Sequence, residues 1–294
     1  MYLVVGANGF LGSYVLKNIL EQTNDFVIAV ARKTEQVTAS PRIRWVSCDI
    51  TDTEGVDVLC RELECYDDMK VVFLVAYHNP DMVEKNLEIA WNINVTSLSY
   101  FVNNLRNVKC LFYASTDNVY GNSIDNYRFK ENDLLNPVNV YGRQKCAAES
   151  IVIWYGYNVV RYPFLISPSL SPVKRHFYDV ITDTMKNGRE IEMFADSFRS
   201  SLSFDTGAAL LIDLIEGYSG DVPKVLNICG DDAFSKYEIG LMLAKKLGVD
   251  NRLVVPVLTA EAQGIFEAER AKSTLMDNTK VKEVLGIDEI KLVL

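Results

Sequence analysis

The sequence predicts an α/β protein, in which a doubly wound parallel sheet is joined to a smaller C-terminal lobe. Three observations support this fold class. Apolar strand signals alternate with helical patterns through the first half of the chain, which is typical of a parallel sheet with helices on both faces. A glycine-rich turn joins the first strand to the first helix, as in Rossmann-type sheets. After Pro163 the alternation stops, so the second half should supply the smaller lobe.

The individual elements follow from the spacing of apolar residues. Strands are expected at residues 2–5, 26–31, 44–48, 70–76, 109–114, 158–161, 191–194 and 224–228. Helices are expected from residue 10 onward and at residues 53–62, 81–107, 139–155, 174–187, 206–216, 235–247 and 278–285. Residues 121–137 are polar and rich in turn formers, which indicates a loop.

Composition excludes several classes of function. The chain has 294 residues and a net charge of -9, so nucleic acid is an unfavourable partner. No apolar run approaches transmembrane length and the chain opens directly in a strand, so we expect a cytoplasmic protein without membrane contact. The six cysteines lack Cys-x-x-Cys spacing and are expected to be reduced and buried. With two histidines, no metal site is expected.

The turn at residues 6–12 predicts a dinucleotide site. Gly6 permits the turn, Gly9 lets the backbone approach a pyrophosphate, and Gly12 lets the helix lie close to its strand. Free N–H groups and the helix dipole favour a diphosphate at this point. A tight turn without a ligand is the alternative, but the strand before it and the helix after it favour the cofactor.

The change of pattern after Pro163 sets the expected domain organisation. We expect residues 1–165 to form the dinucleotide-binding domain, with residues 203–228 returning to it. Residues 166–202 and 229–294 should then form the smaller, substrate-binding lobe.

The end of the second strand indicates which dinucleotide is bound. An acidic residue there would favour NAD, but the strand ends in Arg32 and Lys33. A guanidinium suits a 2′-phosphate, so the sequence favours NADP, with NAD left open. The alternative is that both cations only solvate a loop. Asp49, after the third strand, either bonds the adenine amino group or acts as a turn or N-cap residue.

Tyr141 and Lys145 form the candidate catalytic pair. Residues four apart share a helix face, and an ammonium beside a phenol lowers the pKa of the phenol. A tyrosine tuned in this way can exchange a proton with an alcohol or carbonyl oxygen near neutral pH. Thr116 follows a buried strand at the carboxyl edge of the sheet, where ligands bind. Its hydroxyl either donates to the same substrate oxygen or caps a turn.

Together these motifs resemble the extended short-chain dehydrogenase/reductase superfamily, the NAD-dependent epimerase/dehydratase superfamily. Residues 136–145 are similar to the Asn-Pro-x-x-x-Tyr-Gly-Arg-x-Lys stretch of dTDP-4-dehydrorhamnose reductases, and residues 270–277 with Lys280 resemble their C-terminal stretch. The related 4,6-dehydratases carry Thr-Asp-Glu where this chain ends in Asn118. Because an amide cannot act as the base, dehydration is disfavoured. Residues 119–121, Val-Tyr-Gly, are more like epimerases and dehydratases.

The resemblance implies a role for each matching residue. The catalytic set would be Thr116, Tyr141 and Lys145. The substrate would contact Thr116, Asp117 and Arg199, the last through its diphosphate. The residues expected around the cofactor are Gly6, Asn8, Gly9, Phe10, Leu11, Gly12, Arg32, Lys33, Asp49, Ile50, Leu74, Val75, Ala76, Asn94, Ser115, Tyr141, Lys145 and Pro163.

Three functions agree with this resemblance. The leading one is an NAD(P)-dependent reductase of a nucleotide-linked 4-keto sugar, similar to dTDP-4-dehydrorhamnose reductase. The second is an NAD-dependent nucleotide-sugar epimerase, which must retain its cofactor instead of releasing it oxidised. The third is a regulatory subunit that binds the cofactor without turnover, because the regulatory subunit of methionine adenosyltransferase resembles the same reductases. The expected partner is a nucleotide sugar, and a homodimer is left open.

Overall fold

The fold is built around one parallel sheet of seven strands. The computed structural model describes residues 1–34, 39–170, 174–262 and 266–294. The strands of this central sheet are β1 (Tyr2–Val5), β2 (Val27–Ala31), β3 (Ile43–Ser47), β4 (Met69–Phe73), β5 (Val108–Thr116), β6 (Asn158–Tyr162) and β9 (Val225–Asn227). Their spatial order is β3-β2-β1-β4-β5-β6-β9, and every neighbouring pair is parallel. The predicted α/β, doubly wound fold is thereby confirmed.

The strand order reverses beside β1. The chain runs outward from β1 to β3 and then returns to the other side of β1 to form β4. A ligand crevice is expected outside the carboxyl ends of the strands at such a reversal. Val5 and Phe73 end the two strands on either side of it, so the glycine turn and the residues after β4 meet here.

Helices cover both faces of the central sheet. The α-helices of the described residues are α1 (Phe10–Gln22), α2 (Thr53–Leu63), α3 (Pro80–Lys85), α4 (Leu87–Trp91), α5 (Ser97–Asn104), α6 (Val140–Trp154), α7 (Phe177–Lys186), α8 (Phe204–Glu216), α9 (Lys236–Leu247) and α10 (Thr279–Leu285). The side chains of β1 alternate between two apolar cores, with Tyr2 and Val4 in the first and Leu3 and Val5 in the second. Helices α1 and α8 close the first core, and α2, α5 and α6 close the second.

Residues 203–228 lie against the central sheet. Helix α8 packs on α1, where Lys17 and Asp205 form an ion pair at 2.8 Å. The fully buried Leu211 and Ile215 of α8 belong to the first apolar core. Strand β9 then pairs with β6 at the edge of the sheet. This segment therefore joins the sheet although it comes late in the sequence.

The other C-terminal elements form a smaller lobe with two short sheets. One sheet contains β8 (Phe198–Arg199), β10 (Phe234–Ser235) and β12 (Ser273–Thr274), and the other pairs β7 (Ile191–Phe194) with β11 (Val254–Val257). Helices α7 and α9 share a third apolar core with β7. The sequence predicted β7 but missed the other four strands. Three of them have two residues each, which is too short for a recognisable period.

Several predicted boundaries are wrong. The helical region predicted over residues 81–107 is interrupted at Asn86, whose backbone angles (φ −135°, ψ 57°) are not helical. It also contains a π-helical turn at Asn92–Thr96. Strand β4 ends at Phe73, before residue 76, and β5 continues to Thr116, beyond residue 114. The later end of β5 brings Thr116 into the sheet itself.

The six cysteines are free thiols, but they are not all buried. Cys65 is exposed, because it follows the end of α2 at the surface, and Cys146 is half-buried. The expected burial is therefore wrong for these two residues. Among the residues that the structure describes, no group of three His, Cys, Asp or Glu side chains is arranged to hold a metal ion. No helix in this described part has the length and apolar character needed to cross a bilayer.

Candidate active site

The turn after β1 has a shape that fits a dinucleotide. Gly6 has φ +89°, a conformation that other residues rarely adopt. A Cβ atom on Gly12 would lie 2.4 Å from the Gly6 carbonyl oxygen, so a side chain would push α1 away from the turn. Gly9 is the N-cap of α1 without a side-chain cap, and the first turn holds no acidic residue. The N–H groups and the dipole at this helix end therefore suit a pyrophosphate.

Cations surround the outer side of this turn. Arg32 and Lys33 follow β2 and are exposed. Asn8 Nδ2 donates to the Lys33 carbonyl at 3.0 Å, and Lys174 Nζ donates to the Asn8 carbonyl at 2.7 Å. Burial lowers the pKa of Lys174, and repulsion from Arg32 lowers it further. This positive charge fits the 2′-phosphate of NADP. Sequence reasoning missed Lys174, because no local pattern links it to a turn so much earlier in the chain.

The loop after β4 borders the other side of the turn. A Cβ atom on Gly6 would lie 3.1 Å from the backbone nitrogen of Val75, so residues 74–76 lie against the glycine turn. Asn94, which is 2% exposed, accepts from the Tyr77 N–H at 2.7 Å and donates to the Gln144 side chain at 2.7 Å. Asn94 thus holds the loop against α6.

The other residues expected at the cofactor have local contacts. Asp49 accepts from the N–H of Thr51 at 3.0 Å and from its hydroxyl at 2.8 Å, which is the turn role. Phe10 packs edge-on against the ring of His176, with centroids 4.9 Å apart. The apolar side chains predicted there are buried or half-buried: Leu11, Ile50, Leu74, Val75, Ala76 and Pro163.

Helix α6 places Lys145 one turn after Tyr141, and Lys145 is 1% exposed. Its Nζ donates to the Ala114 carbonyl at 2.6 Å and lies 4.0 Å from the centroid of the Tyr113 ring. Burial lowers the pKa of Lys145 to about 7, against the opposing attraction of Glu149. The ammonium is held by one neutral oxygen and one aromatic ring, so its charge is only weakly compensated.

Tyr141 keeps its hydroxyl proton at neutral pH. The hydroxyl has no hydrogen-bond partner among the described residues, and it is not fully enclosed. Burial raises the pKa of Tyr141, and the negative charge of Asp117 raises it further. The expectation that Lys145 lowers this pKa is wrong here, because the ammonium binds a backbone carbonyl instead. A protonated phenol is suited to donate a proton.

Asp117, directly after β5, connects the central sheet with the smaller lobe. Its Oδ1 accepts from the Thr116 hydroxyl at 3.0 Å and from the Asn118 amide at 2.9 Å. Its Oδ2 accepts from the Thr274 hydroxyl and lies 3.2 Å from Nε of Arg199. The Thr116 hydroxyl also accepts from the Asn118 N–H at 3.3 Å. Thr116 therefore caps a short turn in this structure, the second of its two predicted roles.

The Arg199 guanidinium is bound from within the smaller lobe. Its Nη1 donates to the carbonyls of Phe198 at 2.8 Å and Lys272 at 3.1 Å, and Nη2 donates to that of Ala271 at 2.6 Å. Burial lowers the pKa of Arg199, against the attraction of Asp117. These contacts fix the plane of the guanidinium and leave one Nη2 proton for a ligand.

The sequence did not predict a buried ion pair that lies behind the site. Arg161 of β6 and Glu149 of α6 are 3% and 2% exposed, and Nη2 lies 2.6 Å from Oε2. Arg161 Nε also donates to Glu149 Oε1 at 3.0 Å, and the Ser115 hydroxyl donates to the same oxygen. Glu149 lies four residues after Lys145, a spacing that indicates a shared helix face. The pair ties the helix of the candidate catalytic residues to β5 and β6.

The comparison with known families decides what kind of protein this is. The chain matches the RmlD substrate binding domain over residues 1–291. The protein belongs to this family. The predicted resemblance to extended short-chain dehydrogenases/reductases, and to dTDP-4-dehydrorhamnose reductases among them, is thereby confirmed.

Relatives of this RmlD-family chain cover nearly its whole length. It is 26% identical over 292 residues to the probable low-salt glycan biosynthesis reductase Agl14 of Haloferax volcanii, covering 97% of this chain and 92% of the relative. It is 24% identical over 293 residues to methionine adenosyltransferase 2 subunit beta of Rattus norvegicus, covering 98% and 83%. The structure of dTDP-4-dehydrorhamnose reductase from Bacillus anthracis in complex with NADP has a TM-score of 0.79 at 20% identity, covering 98% of this chain and 94% of that one.

Other matching proteins are nucleotide-sugar epimerases and dehydratases. Several solved neighbours hold NAD, whereas the reductase from Bacillus anthracis holds NADP. Both cofactors therefore occur among proteins of this fold, in agreement with the expectation of NADP with NAD left open.

Lys145→Met should change how the stability of this RmlD-family protein depends on pH. The pKa of Lys145 is about 7 when folded and 10.5 ordinarily, so above pH 7 the unfolded state binds more protons. The free energy of unfolding should then rise with pH, and Lys145 should contribute up to about 1.4 kcal/mol per pH unit to this rise. Urea unfolding at pH 6.5, 7.5 and 8.5 gives the free energy of unfolding at each pH. This free energy should rise less steeply with pH in Lys145→Met than in the wild type.

The exposed Lys109, replaced by Met, is the matched control and should keep the wild-type slope. Lys236, whose pKa is about 8, also makes the free energy of unfolding rise with pH, and it does so in every variant. The test therefore compares the pH dependence of Lys145→Met with that of the wild type. Equal slopes in wild type and Lys145→Met would mean that Lys145 stays charged throughout this range.

Proposed function

We propose that this protein is an NAD(P)-dependent reductase of a nucleotide-linked 4-keto sugar. The observation that carries the proposal is the hydroxyl of Tyr141, which is protonated, has no hydrogen-bond partner among the described residues and lies close enough to Asp117 to be influenced by its charge. Reduction of a carbonyl requires a proton donor. An epimerase must instead begin by removing a proton from a sugar hydroxyl, for which a phenol with a raised pKa is poorly suited.

The side chains of the site divide the work of carbonyl reduction. When bound, the nicotinamide cofactor supplies the hydride. Tyr141 gives its proton to the sugar oxygen, and Lys145 holds the helix of Tyr141 against β5 through the Ala114 carbonyl. Thr116 and Asp117 fix the end of β5 beside them. Asn118 stands where the 4,6-dehydratases have a carboxylate, so loss of water is not supported.

Arg32→Asp should reverse the cofactor preference. The wild type should bind NADPH more tightly than NADH, because Arg32, with Lys33 and Lys174 nearby, faces the 2′-phosphate. A charged contact of this kind contributes roughly 1.5–3 kcal/mol. In Arg32→Asp the carboxylate repels that phosphate and accepts from a ribose hydroxyl instead. Fluorescence titration of NADPH and NADH measures both affinities.

The control is Arg189→Asp, which makes the same change in net charge at an exposed position of the smaller lobe. It should leave the ratio of the two affinities unchanged. Equal binding of NADPH and NADH by the wild type would contradict the assignment of Arg32 to the 2′-phosphate.

A substrate screen tests the proposed function. The protein is mixed with NADPH or NADH and with dTDP-, UDP- or GDP-linked 4-keto sugars, and the nicotinamide absorbance is followed. We expect stoichiometric loss of reduced cofactor with one nucleotide class.

Isomerisation of a nucleotide sugar without net loss of reduced cofactor would favour the epimerase function. Residues 119–121 are similar to the corresponding residues of epimerases. Tight cofactor binding with no turnover of any sugar nucleotide would favour the regulatory-subunit function, to which the likeness to methionine adenosyltransferase 2 subunit beta points. Either result would overturn the proposal that the protein is a reductase.

A further inference from the structure

His176 occupies a position for which histidine is an unusual choice. It is the N-cap of α7, a role that Ser, Thr, Asp and Asn fill best. Its Nδ1 accepts from the Tyr178 N–H at 3.3 Å, which is a long hydrogen bond, and its own N–H donates to Asp179 Oδ2 at 2.8 Å. A residue that caps a helix less well than the alternatives is expected where it also serves function.

The capping bond determines which nitrogen of the His176 ring carries the proton. Because Nδ1 accepts, the proton of the neutral ring lies on Nε2. Burial lowers the pKa of His176 to about 4, against the attraction of Asp179, so the ring is neutral at pH 7. Among the residues that the structure describes, Nε2 has no hydrogen-bond partner, and it is not fully enclosed. His176 therefore offers one unused N–H donor.

Two phenylalanine rings hold the imidazole of His176 in place. The centroids of the Phe10 and Phe204 rings each lie 4.9 Å from that of the imidazole, at interplanar angles of 72° and 86°. These edge-on contacts fix the plane of the ring, and the bond to α7 fixes its rotation. The direction of the Nε2–H is thus set before a ligand binds, which lowers the entropic cost of binding.

The His176 ring lies beside the glycine turn. Phe10 is the first residue of α1, at the helix end where a pyrophosphate is expected. Lys174, two residues before His176, donates to the Asn8 carbonyl of the turn at 2.7 Å. From the loop after β4, His78 is close enough for its charge to influence His176. The ring therefore lies at the crevice between β1 and β4, where the strand order reverses.

We propose that His176 donates its Nε2–H to the pyrophosphate of the nicotinamide dinucleotide. The backbone N–H groups of the glycine turn approach this group from α1, and His176 approaches it from the smaller lobe. A neutral donor is suited to this place, because the nearby ammonium of Lys174 does not repel it. The charge of the phosphate strengthens the hydrogen bond. Helix α7 of the smaller lobe thereby takes part in holding a cofactor that lies on the central sheet.

Two substitutions of His176 separate the donor from the cap. In His176→Gln the side-chain amide nitrogen reaches the position of Nε2, whereas in His176→Asn the side-chain oxygen caps α7 and no donor reaches that position. His176→Asn should weaken the binding of NADPH and of NADH by the same factor, about 10- to 100-fold, because both carry the pyrophosphate. His176→Gln should retain most of the affinity. Fluorescence titration measures both cofactors.

A purely structural role as a cap predicts the opposite order. His176→Asn would then bind NADPH like the wild type, and His176→Gln would be the variant with the lower free energy of urea unfolding and the weaker binding. Ser235→Ala is the matched control, because it removes the N-cap of α9 in the same lobe. It should lower the free energy of unfolding and leave NADPH affinity unchanged.

ADP-ribose, which has the pyrophosphate but no nicotinamide, tests which part of the cofactor accepts the hydrogen bond. Calorimetric titration should show the same loss of affinity for ADP-ribose in His176→Asn as for NADH. Unchanged binding of ADP-ribose would place the donor at the nicotinamide half, and a loss confined to NADPH would place it at the 2′-phosphate. Either result would overturn the pyrophosphate assignment.

The outcomes are independent of the proposed function, because these titrations contain no sugar nucleotide. If His176→Asn binds NADPH, NADH and ADP-ribose like the wild type, the inference is wrong and the reductase proposal stands. If His176→Asn loses affinity as expected and the wild type turns over no sugar nucleotide, the inference is supported and the reductase proposal falls.

Discussion

Tyr141→Phe should lower kcat on the order of 10²- to 10⁴-fold with a validated 4-keto sugar nucleotide, while NADPH affinity stays near that of the wild type. The substitution removes the transferable proton and keeps the ring, which packs with Val83 and Ala90. Since the hydroxyl has no partner among the described residues, its loss breaks no hydrogen bond of the fold. Stopped-flow measurement of cofactor oxidation separates the chemical step from binding.

Tyr155→Phe is the control, because its hydroxyl lies near the end of the same helix and bonds Asn103 at 2.8 Å, away from the site. It should keep wild-type turnover. Thr116→Val should reduce kcat less than Tyr141→Phe does, because Thr116 acts through Asp117. Wild-type turnover in Tyr141→Phe would remove this residue from the mechanism.

Arg161→Met should destabilise the protein by about 3–5 kcal/mol, because it leaves the Glu149 carboxylate buried without its cation. The pair is 3% and 2% exposed, so water cannot replace the lost partner. The Ser115 hydroxyl would remain as a donor to Glu149. Urea unfolding at pH 7 measures the difference in free energy.

The double variant Arg161→Met/Glu149→Met supplies the matched comparison. It should be more stable than Arg161→Met alone, because removing both charges leaves no unpaired group. The exposed pair Arg44 and Glu62, at 2.8 Å, is the surface control, and Arg44→Met should change stability by less than about 1 kcal/mol. A single variant Arg161→Met as stable as the wild type would show that Glu149 accepts a proton readily.

The sheet and the glycine turn could be predicted because their signals are local. Apolar runs of β-branched residues give the strands, and Gly6 and Gly12 lie within seven residues of each other. Tyr141 and Lys145 share a helix face for the same reason, since a spacing of four fixes their proximity. The position of Thr116 at a strand end follows from the parallel sheet.

What could not be predicted depends on contacts between distant segments. Arg199 meets Asp117 only because β8 is brought to the end of β5, and Lys174 meets Asn8 only because the chain returns over the glycine turn. The pKa of Tyr141 is raised by burial and by Asp117, neither of which the Tyr-x-x-x-Lys spacing reveals. Two-residue strands such as β10 carry no periodic pattern at all.

The late return of α8 has a consequence for synthesis of the chain on the ribosome. Helix α1 and the face of the sheet bearing Tyr2 and Val4 exist early, but α8, which closes this core, ends only at Glu216. Until that point has been translated, the nascent chain carries an apolar face without its cover, although β1 to β6 are complete. Such a surface favours association with chaperones or with other nascent chains. The order of elements along the chain therefore makes the first two thirds of this protein dependent on the remainder for its solubility during folding.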